Sequence, residues 1–293
     1  MRVVDFNEAI ATLKPAEAVE AIRRPLLAGF DPATDPHRQK VALPHGEMHL
    51  LPSALDGAVG VKVLGIQPPG STEQVPLVQG SYVLMDGRTL TPEMLIDAAA
   101  LTTLRTPAVS VAGVLERLRA STDVLEVAIF GTGAQARAHA ETLTDTLRGI
   151  REVRCTFISR HDPVAPAVSK AELVVTATSS LEPILDAEHL LTDATVISVG
   201  AHTTTTRELH EDVLVGAQVV VEDLGAAKRE AGDVVIAVEK GALSWDDVLP
   251  MRDVVRGDVT LDPDRRVVFK TVGMPWEDLA VAGALAHASK SRP

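Results

Sequence analysis

The stretch from Val127 to Ala136 constrains the fold more than any other part of the chain. Its sequence, VAIFGTGAQA, places four apolar residues before Gly131 and a second glycine, Gly133, two positions later. This pattern predicts a buried strand, a tight turn at Gly131 and a helix over residues 134–147 whose first amides point toward the turn. Gly133 allows the backbone to approach a pyrophosphate closely, and a helix N-terminus favours an anion. Because glycine pairs at such turns are common, a purely structural turn stays open as an alternative.

Between residues 120 and 271, apolar runs alternate with stretches that favour helices. The runs predict strands at residues 125–130, 152–158, 173–176, 195–199 and 218–222. Continuous apolar runs separated by helices indicate parallel strands that are buried on both faces. Small and polar residues follow these strands, among them Ala177-Thr178-Ser179, His202 and Asp223. Since open α/β sheets bind ligands at that edge, we predict an α/β fold with a Rossmann-type parallel sheet.

Residues 1–119 have a different pattern. Their predicted elements are a helix over residues 7–28 that Asn7 caps and Pro15 breaks, strands over residues 40–43, 48–51 and 58–66, and a hairpin turn at Asp86-Gly87. Propensity alone predicts a further helix over residues 94–118, with its start at Thr91-Pro92-Glu93. The first third is therefore predicted to be a β-rich unit closed by a helix.

The composition limits the possible partners and compartments. The chain has 293 residues, enough for two domains, and a formal net charge of −12, which argues against a nucleic-acid or anionic-membrane partner. Its single cysteine, Cys155, excludes an internal disulfide framework and suits a reducing, cytoplasmic compartment. The N-terminal residues do not resemble a secretory signal, and no apolar run is predicted to span a bilayer. No metal site is predicted.

The end of the second predicted strand bears on the choice of cofactor. An acidic residue at this place would accept a hydrogen bond from the ribose 2′-hydroxyl of NAD. This chain has Ser159-Arg160 there, followed by His161, and an arginine can pair with the 2′-phosphate of NADP. We therefore predict that NADP(H) is favoured over NAD(H). The alternative is that Arg160 is a solvated surface residue.

A resemblance to a known family rests on four stretches. The stretch from Phe269 to Leu279, FKTVGMPWEDL, resembles the C-terminal signature of the ornithine cyclodeaminase/mu-crystallin family, although by itself it could be a strand, a glycine turn and a helix start. Residues 101–110, residues 131–136, and Val199-Gly200-Ala201 with Arg207-Glu208-Leu209 also match. Because the four stretches are spread over most of the chain, it is identified as a member of this family, whose enzymes use a nicotinamide cofactor.

The resemblance implies an architecture. Residues 1–119 with 272–293 would form a substrate-binding and dimerisation domain, residues 120–271 would form an inserted Rossmann domain, and the chain would be a homodimer. It also implies that residues 94–96 form a strand and that the next helix starts near Thr102, contrary to propensity. Together, the fold and the resemblance predict cofactor contacts from Gly131, Thr132, Gly133, Ala134, Gln135, Ser159, Arg160, Ala177, Thr178, Ser179, Val272 and Gly273.

Three cations, Arg38, Lys62 and Arg105, match positions at which the family binds a substrate carboxylate. Residues 59–64 are otherwise apolar, so Lys62 must face water or an anion. Arg105 lies in a mostly uncharged stretch, and its planar guanidinium suits a carboxylate. Each cation taken singly could instead be a surface charge or half of an internal ion pair. We predict that the three bind a small amino-acid or imino-acid substrate, and we count Lys62 and Arg105 among the catalytic residues.

Two departures from the family pattern affect the predicted chemistry. The cyclodeaminases carry an aspartate just after the Gly-Ala that ends the fourth strand, where this chain has His202. A histidine could be a general acid for a reductase or could simply cap the loop, and Asp223 is the alternative acid. The interval of residues 159–172 is shorter than the family usually has. The Rossmann domain is therefore expected to lack one strand on the adenine side.

Three functions are compatible with these observations. The leading prediction is an NAD(P)H-dependent reductase or dehydrogenase of a small α-imino or α-amino acid, similar to ketimine and pyrroline-carboxylate reductases. The first alternative is an ornithine cyclodeaminase, in which NAD is reduced and reoxidised within one turnover to give proline and ammonia. The second is a non-catalytic protein that binds a cofactor or another ligand. The three cations favour the enzymes, and the shortened segment favours the non-catalytic protein.

Overall fold

The structure, a computed structural model, describes residues 1–68, 70–71 and 74–291. It divides into two compact units, residues 1–105 with 274–293 and residues 106–273. The first division falls inside a helix, at residue 105 and not at residue 119 as the sequence suggested, and the second falls at residue 273 and not at 271. Residues 292–293 of the predicted first domain lie outside the described part of the chain.

The first unit is β-rich. Its elements are β1 (Arg2–Val4), α1 (Phe6–Thr12), α2 (Pro15–Leu27), β2 (Gln39–Leu43), β3 (Gly46–Leu55), β4 (Ala58–Ile66), β5 (Val78–Asp86) and β6 (Pro92–Asp97). The helix α3 (Ala98–Arg119) follows β6 and leads into the second unit. The strands form one sheet in the order β1-β6-β5-β4-β3-β2, in which β1 and β6 pair in parallel and the other neighbours pair antiparallel.

The second unit is built on a parallel sheet. Its elements are β7 (Leu125–Phe130), α4 (Ala134–Thr146), β8 (Val153–Ile158), α5 (Ala165–Val168), β9 (Leu173–Thr176), β10 (Thr195–Ser198), β11 (Gln218–Val221), α6 (Leu224–Glu230), α7 (Gly232–Glu239), β12 (Val248–Pro250), α8 (Met251–Arg256) and β13 (Val267–Lys270). All neighbouring strands pair in parallel, in the order β12-β11-β13-β10-β9-β7-β8. The predicted α/β class, with a Rossmann-type sheet and a second, β-rich sheet, is confirmed.

The last helix, α9 (Pro275–Ser291), belongs to the first unit and packs on β3, β4 and β5. The sheet face that carries the buried side chains has a row across five strands, each residue at most 1% exposed: Val4, Ile96, Tyr82, Lys62 and Leu51. Lys62 contacts Asp278 of α9, so α9 covers this face. One charged side chain thus lies in the middle of an otherwise apolar and aromatic row.

The opposite face of the same sheet is apolar but only half buried. Because side chains alternate between the two faces of a strand, the residues next to the buried row point to the other side. Pro52, Val61, Val83 and Leu95 lie side by side across β3, β4, β5 and β6 and are half buried, and Val3 on β1 is 64% exposed. This "outer row" is an apolar surface that no element of the first unit covers in the described residues.

The edge strand β8 marks the shortened part of the second unit. Residues 159–172, between β8 and β9, contain α5, a helix of four residues. Beyond β8 the sheet does not continue in the described residues. Side chains of β8, including Phe157, are exposed, whereas all residues of β9 are buried. This side of the sheet therefore ends in a strand whose side chains are exposed at Arg154, Thr156 and Phe157.

The start of the first helix differs from the sequence prediction. Asn7 is the second residue of α1 and not its cap, which is Asp5. The Asp5 carboxylate accepts a hydrogen bond from the backbone N–H of Glu8 at 2.8 Å, as an N-cap side chain does. The predicted break at Pro15 is confirmed, because Pro15 is the first residue of α2, where its missing N–H costs nothing.

The start of α3 also differs from both predictions. Pro92 opens β6 instead of a helix, and α3 begins at Ala98, before the expected Thr102. The Asp97 carboxylate accepts a hydrogen bond from the backbone N–H of Ala100 at 2.8 Å, which stabilises this start. Among the described residues, α3 is the one helix long and apolar enough to cross a membrane, contrary to the prediction. Of its most apolar stretch, 83% is buried inside the protein.

Candidate functional site

A cleft of about 540 Å³ opens at the carboxyl ends of β7, β8 and β9. Its lining residues are Phe130, Gly131, Thr132, Gly133, Ile158, Ser159, Arg160, Asp162, Val164, Ala177, Thr178, Ser179, Ser180 and Ile184. The cleft thus brings together the predicted glycine turn, the Ser159-Arg160 pair and the segment Ala177-Thr178-Ser179. Because β7 lies between β8 and β9 in the sheet, the chain winds away from it in both directions, and ligands of open α/β sheets bind at such a point.

Two glycines give the cleft its shape. Gly131 has a φ of +108°, and a Cβ there would lie 2.6 Å from the carbonyl oxygen of Ala177, so the turn requires glycine. A Cβ at Gly133 would meet no atom within 4 Å, so this side of the turn is open. Gly133 is also the N-cap of α4, a helix of 13 residues, whose first amides favour an anion. The turn therefore fits the pyrophosphate of a dinucleotide.

Four of the predicted cofactor residues do not line this cleft. Ala134 and Gln135 are the first residues of α4 and lie behind the turn. The backbone N–H groups of Val272 and Gly273 donate to the buried carboxylate of Glu222, at 2.9 and 3.1 Å. These two amides are engaged inside the second unit, by a carboxylate that the sequence prediction missed.

Asp162 stands on the cleft wall beside Arg160 and was also missed. Its Oδ2 accepts a hydrogen bond from the backbone N–H of Ser159 at 2.7 Å. The hydrogen bonds from Ser159 hold the pKa of the Asp162 carboxyl below its usual value, and the charge of His161 acts in the same direction. Arg160 is exposed. A carboxylate that can accept from a ribose hydroxyl and an arginine that can pair with a phosphate therefore lie on the same loop.

In the first unit, the predicted cations form a cluster with carboxylates of α9. Lys62 Nζ lies 2.8 Å from Oδ1 and 2.7 Å from Oδ2 of Asp278, and both side chains are buried. Arg105 Nη1 lies 3.2 Å from Oε2 of Glu277, and its Nε lies 3.6 Å from Oδ1 of Asp278. We call Arg38, Lys62 and Arg105 with Asp278 and Glu277 the "cation cluster". The sequence prediction found its cations and missed its two carboxylates.

The pKa of Lys62 shows how closely the cluster is packed. Burial lowers this pKa to about 8, the Asp278 carboxylate opposes the decrease, and the charges of Arg105 and Arg38 add to it. The charges of Arg105 and Arg38 therefore both act at the buried Lys62 position. Cations that gather in this way suit a carboxylate ligand. Glu277 and Asp278 lie in the first turn of α9, where acidic residues complement the helix dipole.

Asp35 links the segment that carries Arg38 to the start of α9. Its Oδ1 accepts a hydrogen bond from the hydroxyl of Ser53 at 2.6 Å, and its Oδ2 accepts from the backbone N–H of Trp276 at 2.8 Å. Burial raises the pKa of Asp35 to about 6; these two hydrogen bonds oppose the increase and the Asp278 charge adds to it. The role of Asp35 could not be predicted from the sequence, because its partners lie in distant strands and helices.

The two predicted acids in the second unit have different surroundings. His202 is exposed and follows β10, and its Nδ1 lies 3.1 Å from the carbonyl oxygen of Gly200. Asp223 is the N-cap of α6, and its Oδ2 accepts from the backbone N–H of Ala226 at 2.8 Å. The carboxylate of Asp223 is thus engaged in capping, so His202 is the better placed of the two for proton transfer.

The cleft and the cation cluster define a class of protein: a dinucleotide-binding α/β protein of the Rossmann type with an anion-binding cluster in its β-rich unit. More specifically, the chain belongs to the ornithine cyclodeaminase/mu-crystallin family, whose family model matches residues 3–165 and 158–291. The predicted family is confirmed.

Relatives of this chain are named as reductases of Delta(1)-pyrroline-2-carboxylate or of a ketimine. The Delta(1)-pyrroline-2-carboxylate reductase 1 of Burkholderia multivorans is 30% identical over 88% of this chain and 86% of the relative. The ketimine reductase mu-crystallin of Rattus norvegicus is 30% identical over 83% of this chain and 80% of the relative. Their names agree with the predicted class of reaction.

Two solved structures share the fold over nearly the whole chain. The Delta(1)-pyrroline-2-carboxylate reductase of Thermococcus litoralis, in complex with NADH and L-proline, is similar with a TM-score of 0.86 and 21% identity, over 99% of this chain and 98% of the other. An archaeal alanine dehydrogenase dimer with bound NAD has a TM-score of 0.84 and 23% identity, over 100% and 97%.

Proposed function

We propose that this chain is an NAD(P)H-dependent reductase of a small cyclic α-imino acid, and that it also oxidises the corresponding amino acid. The observation that carries the proposal is the cation cluster, in which buried Lys62 is held by Asp278 beside Arg105. Charge-assisted hydrogen bonds from such a cluster suit an α-carboxylate. The names of the relatives from Burkholderia multivorans and Rattus norvegicus support the same substrate class.

Each part of the chain has a separate role in this reaction. Arg38, Lys62 and Arg105 bind the carboxylate and so orient the C=N bond. The cleft residues, among them Gly131, Gly133 and Thr178, would hold a nicotinamide cofactor, which would supply the hydride. His202, as an imidazolium, donates a proton to the imine nitrogen. One hydride and one proton together convert the imine into the amine.

We propose NADP(H) as the preferred cofactor. The support is Arg160 on the cleft wall, since a guanidinium can pair with a 2′-phosphate. Asp162 on the same loop favours the opposite preference, because a carboxylate accepts from a ribose hydroxyl and repels a phosphate. Single substitutions of these two residues therefore test the preference from both sides.

We propose that the chain forms a homodimer through the outer row. The support is an apolar surface of neighbouring strands, including Val61, Val83 and Leu95, that no element of the first unit covers in the described residues. The name of the archaeal alanine dehydrogenase structure describes a dimer, which supports a dimeric state for this chain but does not identify the surface.

A substrate screen tests the proposed reaction. Cyclic imines with an α-carboxylate, and 2-oxo acids supplied with amines, are offered together with NADPH, and its absorbance is followed. We expect at least one cyclic imine to oxidise NADPH stoichiometrically. Steady formation of proline and ammonia from L-ornithine with NAD would instead favour a cyclodeaminase. Cofactor binding without turnover of any compound would favour the non-catalytic alternative.

A further inference from the structure

Glu208 is a fully buried carboxylate that the reaction described above does not use. It lies between β10 and β11, in the Arg207-Glu208-Leu209 segment, and is 0% exposed. Its Oε1 accepts hydrogen bonds from the backbone N–H and the hydroxyl of Thr178, at 2.8 and 2.7 Å. Its Oε2 accepts from the hydroxyl of Thr176 at 2.9 Å and from the backbone N–H of Gly200 at 2.6 Å.

The donors to Glu208 come from two different strand ends. Thr176 ends β9 and Thr178 lines the cofactor cleft, whereas Gly200 follows β10. A Cβ at Gly200 would lie 2.1 Å from the carbonyl oxygen of Thr178 and 2.6 Å from Oε1 of Glu208, so the two segments are in close contact. The Gly200 carbonyl in turn lies 3.1 Å from Nδ1 of His202. A continuous series of contacts thus connects the cleft wall to His202 through Glu208.

Glu208 itself is held in a fixed position. Its backbone N–H and that of Leu209 donate to Oδ1 of Asp233, at 2.8 and 2.9 Å. Oδ2 of Asp233 accepts from the Ser198 hydroxyl at 3.0 Å and pairs with Lys270 Nζ at 2.9 Å, and the Asp233 and Lys270 side chains are completely buried. This ion pair fixes the backbone of Glu208 to β10 and β13, so the carboxylate can hold both strand ends.

The four donors need a carboxylate. Two carboxylate oxygens offer about four acceptor positions, and all four are used here by uncharged donors. An amide of the same size accepts only through its single oxygen, and its NH₂ group would face a backbone N–H, that of Thr178 or that of Gly200, which cannot accept. Glu208→Gln therefore keeps the shape of the side chain but leaves one of the two strand ends without its acceptor.

We propose that Glu208 is a positioning residue that couples occupancy of the cofactor cleft to the position of His202. The inference rests on the proposed function, in which the cleft holds NAD(P) and His202 delivers the proton. The mechanism is local: a cofactor against Thr178 moves or stiffens a segment that shares one carboxylate with the Gly200 backbone. Because that backbone contacts His202, the environment of the imidazole changes when the cleft is filled.

The ring-proton resonance of His202 reports this coupling. It is identified by its absence from the spectrum of a His202→Asn variant. In the wild type, titration with NADPH should shift the resonance. In Glu208→Gln, affinity for NADPH should fall about tenfold, since hydrogen bonds to a buried charge are lost, and the His202 shift at saturation should disappear. Glu208→Asp, which is charged but shorter, should restore part of both responses.

Glu222→Gln is the matched control. Glu222 is also buried and accepts from Thr271, Val272 and Gly273 at the ends of β11 and β13. This variant should lose thermal stability as Glu208→Gln does, but should retain the NADPH-induced shift of His202. If Glu208→Gln binds NADPH with wild-type affinity and keeps the shift, the proposed coupling is wrong and Glu208 is only structural.

A second measurement keeps the inference separate from the proposed function. Without any cofactor, at least one of the Thr178 and Gly200 amides, the one that faces the NH₂ group, should exchange with solvent faster in Glu208→Gln than in the wild type and in Glu222→Gln. Unchanged exchange at both amides would contradict a shared anchor. A wild-type protein that binds neither cofactor would contradict the proposed function, whereas the exchange experiment would still decide whether Glu208 joins the two strand ends.

Discussion

Lys62 of β4 and Asp278 of α9 form a buried ion pair although 216 positions separate them in the chain. Burial lowers the pKa of Lys62 to about 8, and the carboxylate keeps it from falling further. In the proposed function, a substrate carboxylate would therefore meet a lysine whose charge is already maintained by an internal anion. We propose that the pair both contributes to the stability of the fold and sets the affinity of the cation cluster for the substrate carboxylate.

The first prediction separates these two roles of Lys62. Lys62→Met keeps most of the side-chain volume but leaves the Asp278 carboxylate buried without its ammonium partner. Removing one member of a buried pair costs about 3–5 kcal/mol, so the free energy of unfolding in urea should fall by that order. The KM for the imine substrate should rise by at least about tenfold, because a charge-assisted bond to the carboxylate is lost.

The double variant Lys62→Met/Asp278→Asn is the control for this prediction. It leaves no carboxylate opposite the methionine that replaces Lys62. Its unfolding free energy should therefore be higher than that of Lys62→Met, while the KM stays high. The affinity for NADPH should be unchanged in both variants, and Arg38→Ala and Arg105→Ala should likewise raise KM and spare the cofactor. Wild-type KM in all of these variants would show that the carboxylate binds elsewhere.

The second prediction concerns the dependence of stability on pH. Burial raises the pKa of Asp35 from 3.8 to about 6, so the folded state holds this proton more tightly than the unfolded state does. The stabilisation of the folded state by this bound proton is fully present below the unfolded pKa of Asp35, and it is lost as the pH rises through the folded pKa. The unfolding free energy of the wild type minus that of Asp35→Asn should therefore decrease as the pH rises from about 4 to about 6.

Exposed Asp56 supplies the matched control. Asp56 has a φ of +52° in the turn between β3 and β4, a conformation that asparagine also tolerates. Asp56→Asn makes the same substitution at an exposed position, so a pH dependence that both variants share does not come from the burial of Asp35. Equal pH profiles for Asp35→Asn and the wild type would mean that folding does not change the proton affinity of Asp35.

The third prediction tests the choice of cofactor. Arg160→Ala should weaken NADPH binding by about 1–3 kcal/mol, the range for hydrogen bonds to charged groups, and should change NADH binding little. Asp162→Asn should strengthen NADPH binding, because it removes a charge that repels a 2′-phosphate. It should weaken NADH binding, because an amide oxygen is a weaker acceptor for a ribose hydroxyl than a carboxylate is. Fluorescence titration of each variant with both reduced cofactors measures the four affinities. Tighter binding of NADH than of NADPH by the wild type contradicts the proposed preference.

The fourth prediction concerns assembly. Val61→Asp places a charge in the outer row, where a partner surface would bury it, and should convert a dimer into a monomer at micromolar concentration. Val215→Asp, at an exposed valine of the second unit (57% exposed), should remain dimeric. Light scattering distinguishes the two masses. A monomeric wild type at the same concentration would remove this proposal.

Much of the second unit could be predicted from the sequence because its signals are local. β7 and β9 begin and end where predicted, since each is a mostly apolar run between polar or small residues. The glycine turn likewise specifies its own geometry, because Gly131 requires a positive φ. The start of α3 was harder to place: the sequence before Ala98 has helix formers, and tertiary pairing with β1 and β5 makes it a strand.

The two carboxylates of the cation cluster could not be assigned to their partners from the sequence. Glu277 and Asp278 were visible in the C-terminal signature, but their partners Arg105 and Lys62 lie 172 and 216 positions away. No local period connects such residues, so each cation had to be considered singly. Asp35 gave even less sign of its role, because its acceptor positions are used by a strand hydroxyl and a helix amide that only the fold brings together.

The last prediction decides between reduction and cyclodeamination. Cyclodeamination of ornithine needs hydride removal, attack of the side-chain amine on the resulting imine, loss of ammonia and return of the hydride. An anionic carboxylate near the amine can accept protons during these steps, and the family's cyclodeaminases have an aspartate at the position of His202. A cationic imidazolium there would repel the ammonium of ornithine but can protonate an imine nitrogen as the hydride arrives.

We therefore expect L-ornithine with NAD to give little or no proline and ammonia, and a cyclic imine to oxidise NADPH in equal amount. His202→Gln should lower kcat for the imine by about 10²–10⁴-fold, the usual contribution of a general acid, with little change in KM. Asp223→Asn is the comparison, and it should retain kcat because Asp223 caps α6. Loss of kcat in Asp223→Asn but not in His202→Gln would assign the proton to Asp223. Steady proline formation by the wild type, without net change in the cofactor, would replace the reductase with the cyclodeaminase.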